Sequence, residues 1–155
     1  MPLALTSSGP SANLTFREKA GVSMIIGIGH DLSDITRVAK ILDGRTSRRF
    51  FERVLSAGER ELAAQYSGER LSQFTAGRFA AKEAVVKAFG CGIGNVIGFT
   101  DIEILRGSCG KPECSLSSAA WDRLGFSPES VRIHVTITHE RNLASAFAVA
   151  ERISQ

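Results

Sequence analysis

The sequence predicts an α+β fold in which one long central helix packs on a small antiparallel sheet. Three observations point there: an Ala-rich, proline-free helical run over residues 71–89, a strictly alternating strand over 131–138 with a second strand after it, and helices and strands that do not alternate regularly along the chain. At 155 residues, 43% hydrophobic and 23% charged, the chain is sized for one domain with its own core.

Residues 1–23 mix Pro, Ser, Gly and charge without a sustained apolar run, so they lack the hydrophobic stretch of a secretory signal. They are expected to form a disordered extension, with the folded domain occupying 24–155. Removal of 1–23 is expected to leave activity intact.

The run Ile25-Ile-Gly-Ile-Gly-His-Asp31 reads as a strand, with Ile26, Ile28 and His30 on one face and Gly27, Gly29 and Asp31 on the other. The second face is bare up to its carboxylate. Ser33 is the expected cap of a short helix reaching Leu42. Further helical turns are expected from Arg48 to Tyr66, where Ser56 and Glu59 have capping-box spacing.

The 71–89 helix should end at Gly90, a residue suited to a left-handed cap. Phe74, Ala81, Val85 and Ala88 form one apolar stripe and Phe79 and Val86 a second, so this helix should be buried on more than one side. After a glycine-rich turn over 90–98, strands are expected at 100–105 and 112–116, then a short helix near 117–124. Val131, Ile133, Val135 and Ile137 should face inward, and 131–138 should pair with 143–150 as an antiparallel hairpin.

Composition excludes several functions. Cys91, Cys109 and Cys114 are odd in number and lack paired CxxC spacing, against both a disulfide framework and structural zinc, and a reducing cytoplasm is the simpler home. Apolar stretches are broken well before the roughly 20 residues of a membrane span. A net charge of +3 is too small to indicate nucleic-acid binding, although the charge is uneven. No nucleophile elbow surrounds Ser33, Ser67 or Ser145. The glycine patterns Gly27-Ile-Gly29 and Gly92-Ile-Gly94 lack the strand-to-helix context of a dinucleotide site.

Three features carry possible chemistry. Asp31 ends a strand whose glycines would let another element approach closely, although a capping Asp is the commoner explanation. Glu83 sits among buried positions of the long helix. An i,i+4 pair with Lys87, worth about 0.3–0.5 kcal/mol, explains it as well as a functional role does. If the glycines let the helix lie on the strand, Asp31 and Glu83 converge, and two carboxylates with substrate phosphates suit magnesium. Third, Arg37, Lys40, Arg45, Arg48, Arg49 and Arg53 lie beside Phe50 and Phe51, as either a solvated helix face or a docking surface for an acidic partner. His139, ending the alternating strand, is either a turn residue or a phosphate donor.

Four segments, Ile25–Asp31, Arg78-Phe-Ala-Ala-Lys-Glu-Ala84, Gly110-Lys-Pro112 and Ile137-Thr-His139, resemble the holo-[acyl-carrier-protein] synthase family in order and spacing, from Met24 to the C-terminus. The resemblance implies a 4'-phosphopantetheinyl transferase-like fold and Mg2+-dependent transfer of 4'-phosphopantetheine from coenzyme A to a serine of acyl carrier protein. It implies Asp31 and Glu83 as magnesium ligands, with Lys87 and also Lys82 stabilising the departing phosphate. Arg78 and His139 match positions for coenzyme A phosphates, and the turn carrying Gly90 and Gly92 would follow the nucleotide. Arg37, Arg49 and Arg53 match a docking helix for the acidic carrier protein. A homotrimer with sites between subunits is the family's assembly, and the base is left as either a carboxylate or metal-bound water. His30 departs from the family, standing where an apolar residue is expected, and its packing on the opposite strand face is the favoured explanation. The competing hypotheses are a basic nucleic-acid-binding module built on 45–53 and a coenzyme A-binding relative that no longer transfers.

Overall fold

The computed structural model describes residues 23–153; the expectation of a disordered extension concerns residues that, Ser23 apart, lie outside this range. The elements run β1 (Met24–Asp34), α1 (Ile35–Leu42), α2 (Ser47–Val54), α3 (Ala57–Ala63), α4 (Gly68–Ala88), β2 (Ile102–Arg106), β3 (Pro112–Leu116), α5 (Ser118–Leu124), β4 (Val131–Glu140) and β5 (Leu143–Arg152). Short 3-10 turns at Phe99–Asp101 and Pro128–Ser130 lead into β2 and β4.

β4 and β5 form the expected antiparallel hairpin, and β1 adds to the other side of β5, giving the order β1-β5-β4. β2 and β3 form a separate two-stranded sheet. The strand expected from residue 100 starts at Ile102, because Phe99–Asp101 is wound into the 3-10 turn. Ser33 is not the cap of α1. Asp34 is, its carboxylate accepting the Arg37 N–H at 3.1 Å, while Ser33 continues β1 opposite Ala144. Ser56 and Glu59 do form a capping box at α3.

The long helix lies against the three-stranded sheet, and the reason is the size of the residues between them. Gly27, Gly29, Asp31 and Ser33 of β1 pair with Ala150, Ala148, Ala146 and Ala144 of β5, so the inner face of the two strands carries almost no side-chain bulk. A Cβ on Gly29 would stand 1.8 Å from the Ala84 carbonyl oxygen, and one on Gly27 2.1 Å from that of Ala88. Glycine here permits direct backbone approach of helix to strand. The core is completed by Ala80, Ala81, Val85 and Val86 of α4 against Ile97, Ile102, Ile104 and Val135. Twelve of the 21 residues of α4 are buried, which fulfils the expectation of burial on more than one side. Gly90, with φ of 73°, follows the helix in the left-handed conformation.

Candidate active site at the contact of β1 with α4

The close approach delivers three charged side chains to one place. Asp31 is the last inward-facing carboxylate of β1, and Lys87 of α4 donates to its Oδ1 at 2.7 Å and to the His30 carbonyl at 3.1 Å. Glu83 lies one helical turn before Lys87 and is half-buried. Burial, and then the negative charge of Asp31, push the Glu83 carboxyl above the ordinary glutamate range, while Lys87 pulls it down. The hydrogen bond that Lys87 donates to Asp31, with the charges of Asp31 and Glu83, holds Lys87 protonated more firmly than a free lysine. The ion pair of Lys87 is therefore made across the strand–helix contact with Asp31, and the convergence expected from the glycines is present.

His30 turns to the opposite face, where its ring stacks on Phe147 at 4.1 Å and its Nε2 lies 3.0 Å from the Ser145 hydroxyl. It packs as the strand alternation requires. The turn that follows begins one residue after the helix, with Gly90 and Cys91 amides bonded to the Lys87 and Val86 carbonyls. A Cβ on Gly92 would meet nothing within 4 Å, so the turn lies open beside Lys87.

A second feature, a cationic cleft of about 310 Å³, is formed by α4, the β2–β3 sheet and the end of β4. Arg78 and His139 both line it, with Arg70 and Arg106, and no carboxylate does. Arg78 is only 7% exposed, its Nε donates to the Ile104 carbonyl at 2.9 Å, and its guanidinium lies 4.5 Å from the centre of the Phe74 ring. Burial, reinforced by Arg106, lowers its proton affinity, and Glu59 opposes that. Arg106 is oriented by a 2.7 Å bond to the Tyr66 hydroxyl. Asp31, Glu83 and Lys87 are not among the residues lining this cleft within one chain.

Sequence reasoning missed Arg70 and Arg106. A signal for Arg70 was available: residues 70, 73, 74, 77 and 78 line the cleft at the i, i+3, i+4, i+7, i+8 spacing of a single helix face. Arg106 carried none, because its place depends on how β2 is laid beside α4.

The expectation that Lys82 meets a phosphate is corrected. Its side chain is fully buried, and its ammonium donates to Glu59 at 2.6 Å and to the Val54 and Phe99 carbonyls at 2.7 and 2.8 Å. No donor remains for a ligand, since an ammonium has three. Lys87, five residues on, is half-exposed and points the other way, which is why two lysines of one helix have different roles.

Arg37, Arg49 and Arg53 are exposed on α1 and α2. They rim two grooves that share Ile41 and Phe50, one bounded by Leu32, Arg37 and Val38, the other by Arg49 and Arg53. This surface is apolar in its floor and basic at its edge. Among the described residues no group of three or more His, Cys, Asp or Glu side chains could hold a metal by itself, and no helix is long and apolar enough to cross a membrane.

Comparison with known proteins agrees with this architecture. A holo-[acyl-carrier-protein] synthase of Bacillus cereus is 42% identical over 132 residues, covering 85% of this chain and all of that protein. The crystal structure of a holo-(acyl-carrier-protein) synthase from Bacillus anthracis in complex with CoA (3',5'-ADP) superimposes with a TM-score of 0.70 at 40% identity, covering 83% of this chain and 98% of that one. A synthase from Neisseria meningitidis superimposes with a TM-score of 0.71 at 32% identity, covering 82% and 98%. Residues 27–149 match the family profile, and with these relatives the chain belongs to the 4'-phosphopantetheinyl transferase superfamily.

Proposed function

We propose that this protein transfers 4'-phosphopantetheine from coenzyme A to a serine of apo-acyl carrier protein, giving holo-acyl carrier protein and adenosine 3',5'-bisphosphate. The observation that carries the reading is the convergence of Asp31, Glu83 and Lys87 across the β1–α4 contact, in a chain whose relatives are holo-[acyl-carrier-protein] synthases.

Two hard carboxylates without sulfur or imidazole fit Mg2+, which Asp31 and Glu83 would hold as protein ligands together with substrate oxygens. When bound, the ion supplies charge neutralisation on the pyrophosphate of coenzyme A. In the transfer, the serine hydroxyl gives its proton to a base, a carboxylate or water, its oxygen bonds to the phosphorus of the β-phosphate, and the bridging P–O bond breaks with its electron pair on the oxygen that leaves in adenosine 3',5'-bisphosphate. Lys87, kept charged by its carboxylate neighbours, would donate to the oxygen on which negative charge grows rather than accept the proton. Arg78 and His139, joined by Arg70 and Arg106, offer a cationic cradle for the nucleotide phosphates, and the open turn at Gly90 and Gly92 lets a ligand backbone pass. Arg37, Arg49 and Arg53 would face the acidic carrier protein.

The outer face of the sheet supports self-association as a homotrimer: Ile28, Leu32, Leu143 and Phe147 are 60%, 54%, 50% and 47% exposed there. Three free cysteines support a cytoplasmic location. Residues 1–23 are proposed to be dispensable, since the Bacillus cereus relative aligns over its whole length with 132 of the 155 residues. A nucleic-acid role for α2 finds no support among the relatives.

Incubation with apo-acyl carrier protein, coenzyme A and Mg2+, followed by intact-mass analysis, should show addition of one phosphopantetheine group to the carrier. No addition to a carrier that a known synthase can modify would overturn the reading. The same assay on the chain beginning at Met24 tests the dispensability of what precedes it.

A further inference from the structure

Glu59 and Lys82 form an ion pair in which both side chains are fully buried. Its polar atoms are used to the full. Lys82 also holds the Val54 and Phe99 carbonyls, while the two Glu59 oxygens accept the amides of Ser56 at 2.8 Å and Ile104 at 2.9 Å. Such a pair adds little net stability over a well-packed apolar replacement, so its presence invites a role beyond holding the fold.

The geometry leads from this pair to the cationic cleft. Arg78 stands one helical turn before Lys82, and Ile104 of β2 gives its N–H to Glu59 and its carbonyl to Arg78. The Arg78 Nε is also 4.0 Å from Glu59 Oε1. With Phe74 under the guanidinium plane, Arg78 is fixed on three sides, and its terminal nitrogens are left for the cleft. Arg106 and Lys82 both repel Arg78, and Glu59 is the carboxylate that counters them.

We propose that Glu59, with Lys82 as its counter-ion, is a positioning residue for phosphate recognition: it sets the direction of the Arg78 guanidinium in the cleft without itself touching substrate. This rests on the reading that Arg78 binds a coenzyme A phosphate.

The test compares Arg78→Ala, the charge-neutral double variant Glu59→Gln with Lys82→Met, and the combination of all three, in the full chain. Calorimetry measures affinity for adenosine 3',5'-bisphosphate, steady-state kinetics give KM for coenzyme A and kcat, and thermal unfolding checks the fold. Arg78→Ala should weaken binding by about tenfold or more. The double variant should fold, weaken binding by about tenfold and raise KM with kcat changed less than about threefold, and on the Arg78→Ala background it should add less than about twofold, as expected of residues acting through one another. Should the double variant not fold, Glu59→Asp, which keeps both charges and shortens the reach, is expected to show the same loss and the same non-additivity. Unchanged binding in a folded variant, or losses that multiply with Arg78→Ala, overturn the inference alone. Unchanged binding in Arg78→Ala itself overturns the assignment of Arg78 and the inference with it.

Discussion

A single methyl group at Gly29 tests the geometry on which the proposed active site depends. In Gly29→Ala the new carbon would stand 1.8 Å from the Ala84 carbonyl oxygen and 2.8 Å from both the Ala84 carbonyl carbon and the Ala88 nitrogen. A tolerable C–H···O contact is about 3.3 Å, so α4 must withdraw from β1 by about 1.5 Å. The obstacle is helix backbone on one side and a hydrogen-bonded strand on the other, so no rotamer change relieves it. Overpacking of this kind costs about 1–3 kcal/mol, and a backbone obstacle belongs at or above the upper end. For a domain of this size, about 3 kcal/mol lowers Tm by roughly 6–12 °C. The same withdrawal parts Asp31 from Glu83 and Lys87, so the transfer rate of the fraction still folded should fall by about 100-fold or more. Gly92→Ala is the control: nothing lies within 4 Å of its Cβ, and Tm should hold within about 1 °C. Thermal unfolding by circular dichroism and phosphopantetheine transfer by mass spectrometry, below the transition, measure both effects. A Gly29→Ala protein with unchanged Tm and rate would refute the argument that backbone contact builds this site.

Three further outcomes are expected. Asp31→Ala and Glu83→Ala should each reduce transfer by about 100-fold or more while leaving the circular dichroism spectrum intact, and near-normal rates in either would reject that residue as a metal ligand. In Asp31→Asn the Glu83 carboxyl should titrate lower than in the parent, because a repelling charge is removed and Lys87 is released to it, as carboxyl carbon NMR would read. The sign for stability follows: a carboxyl raised in the folded state costs stability as pH climbs from the ordinary glutamate value through the raised one, so this cost should shrink in Asp31→Asn. Arg49→Glu and Arg53→Glu should raise KM for acyl carrier protein by about tenfold and flatten its salt dependence, with kcat at saturating carrier retained.

The fold was legible where a local pattern forced one answer. Strict alternation over 131–138 placed β4, and the glycine after the helix marked the end of α4, because both signals act within a few residues. Ser33 was misread since it and Asp34 are both good caps, and the choice is made by the long-range ladder that carries β1 to Asp34 opposite Leu143. The row Ala144, Ala146, Ala148 and Ala150 was also overlooked. Alone it is an unremarkable strand, and it acquires meaning only when paired rung by rung with Gly27 and Gly29 to make a floor for the helix.

The site divides along the same line, and α4 shows why. The approach of Asp31 and Glu83 could be anticipated from the bare glycines upstream of the carboxylate, although a capping Asp and a Glu83–Lys87 pair explained the same residues, and their role as metal ligands came only from the family resemblance. The place of Lys82 could not be anticipated, because sequence spacing cannot tell which of two neighbouring helix faces is lined by carbonyls and which by solvent. Lys82 and Glu83 are adjacent, so their side chains leave the helix about 100° apart. One meets the Glu59 carboxylate and two backbone carbonyls in the interior, and the other meets Asp31 and Lys87 at the sheet edge. The face of α4 that carries Lys82 is turned to the interior, and the next residue, about 100° further round, falls on the face that meets β1. The lysine expected to touch the phosphate thus belongs to the interior, and it is its neighbour that faces the proposed site.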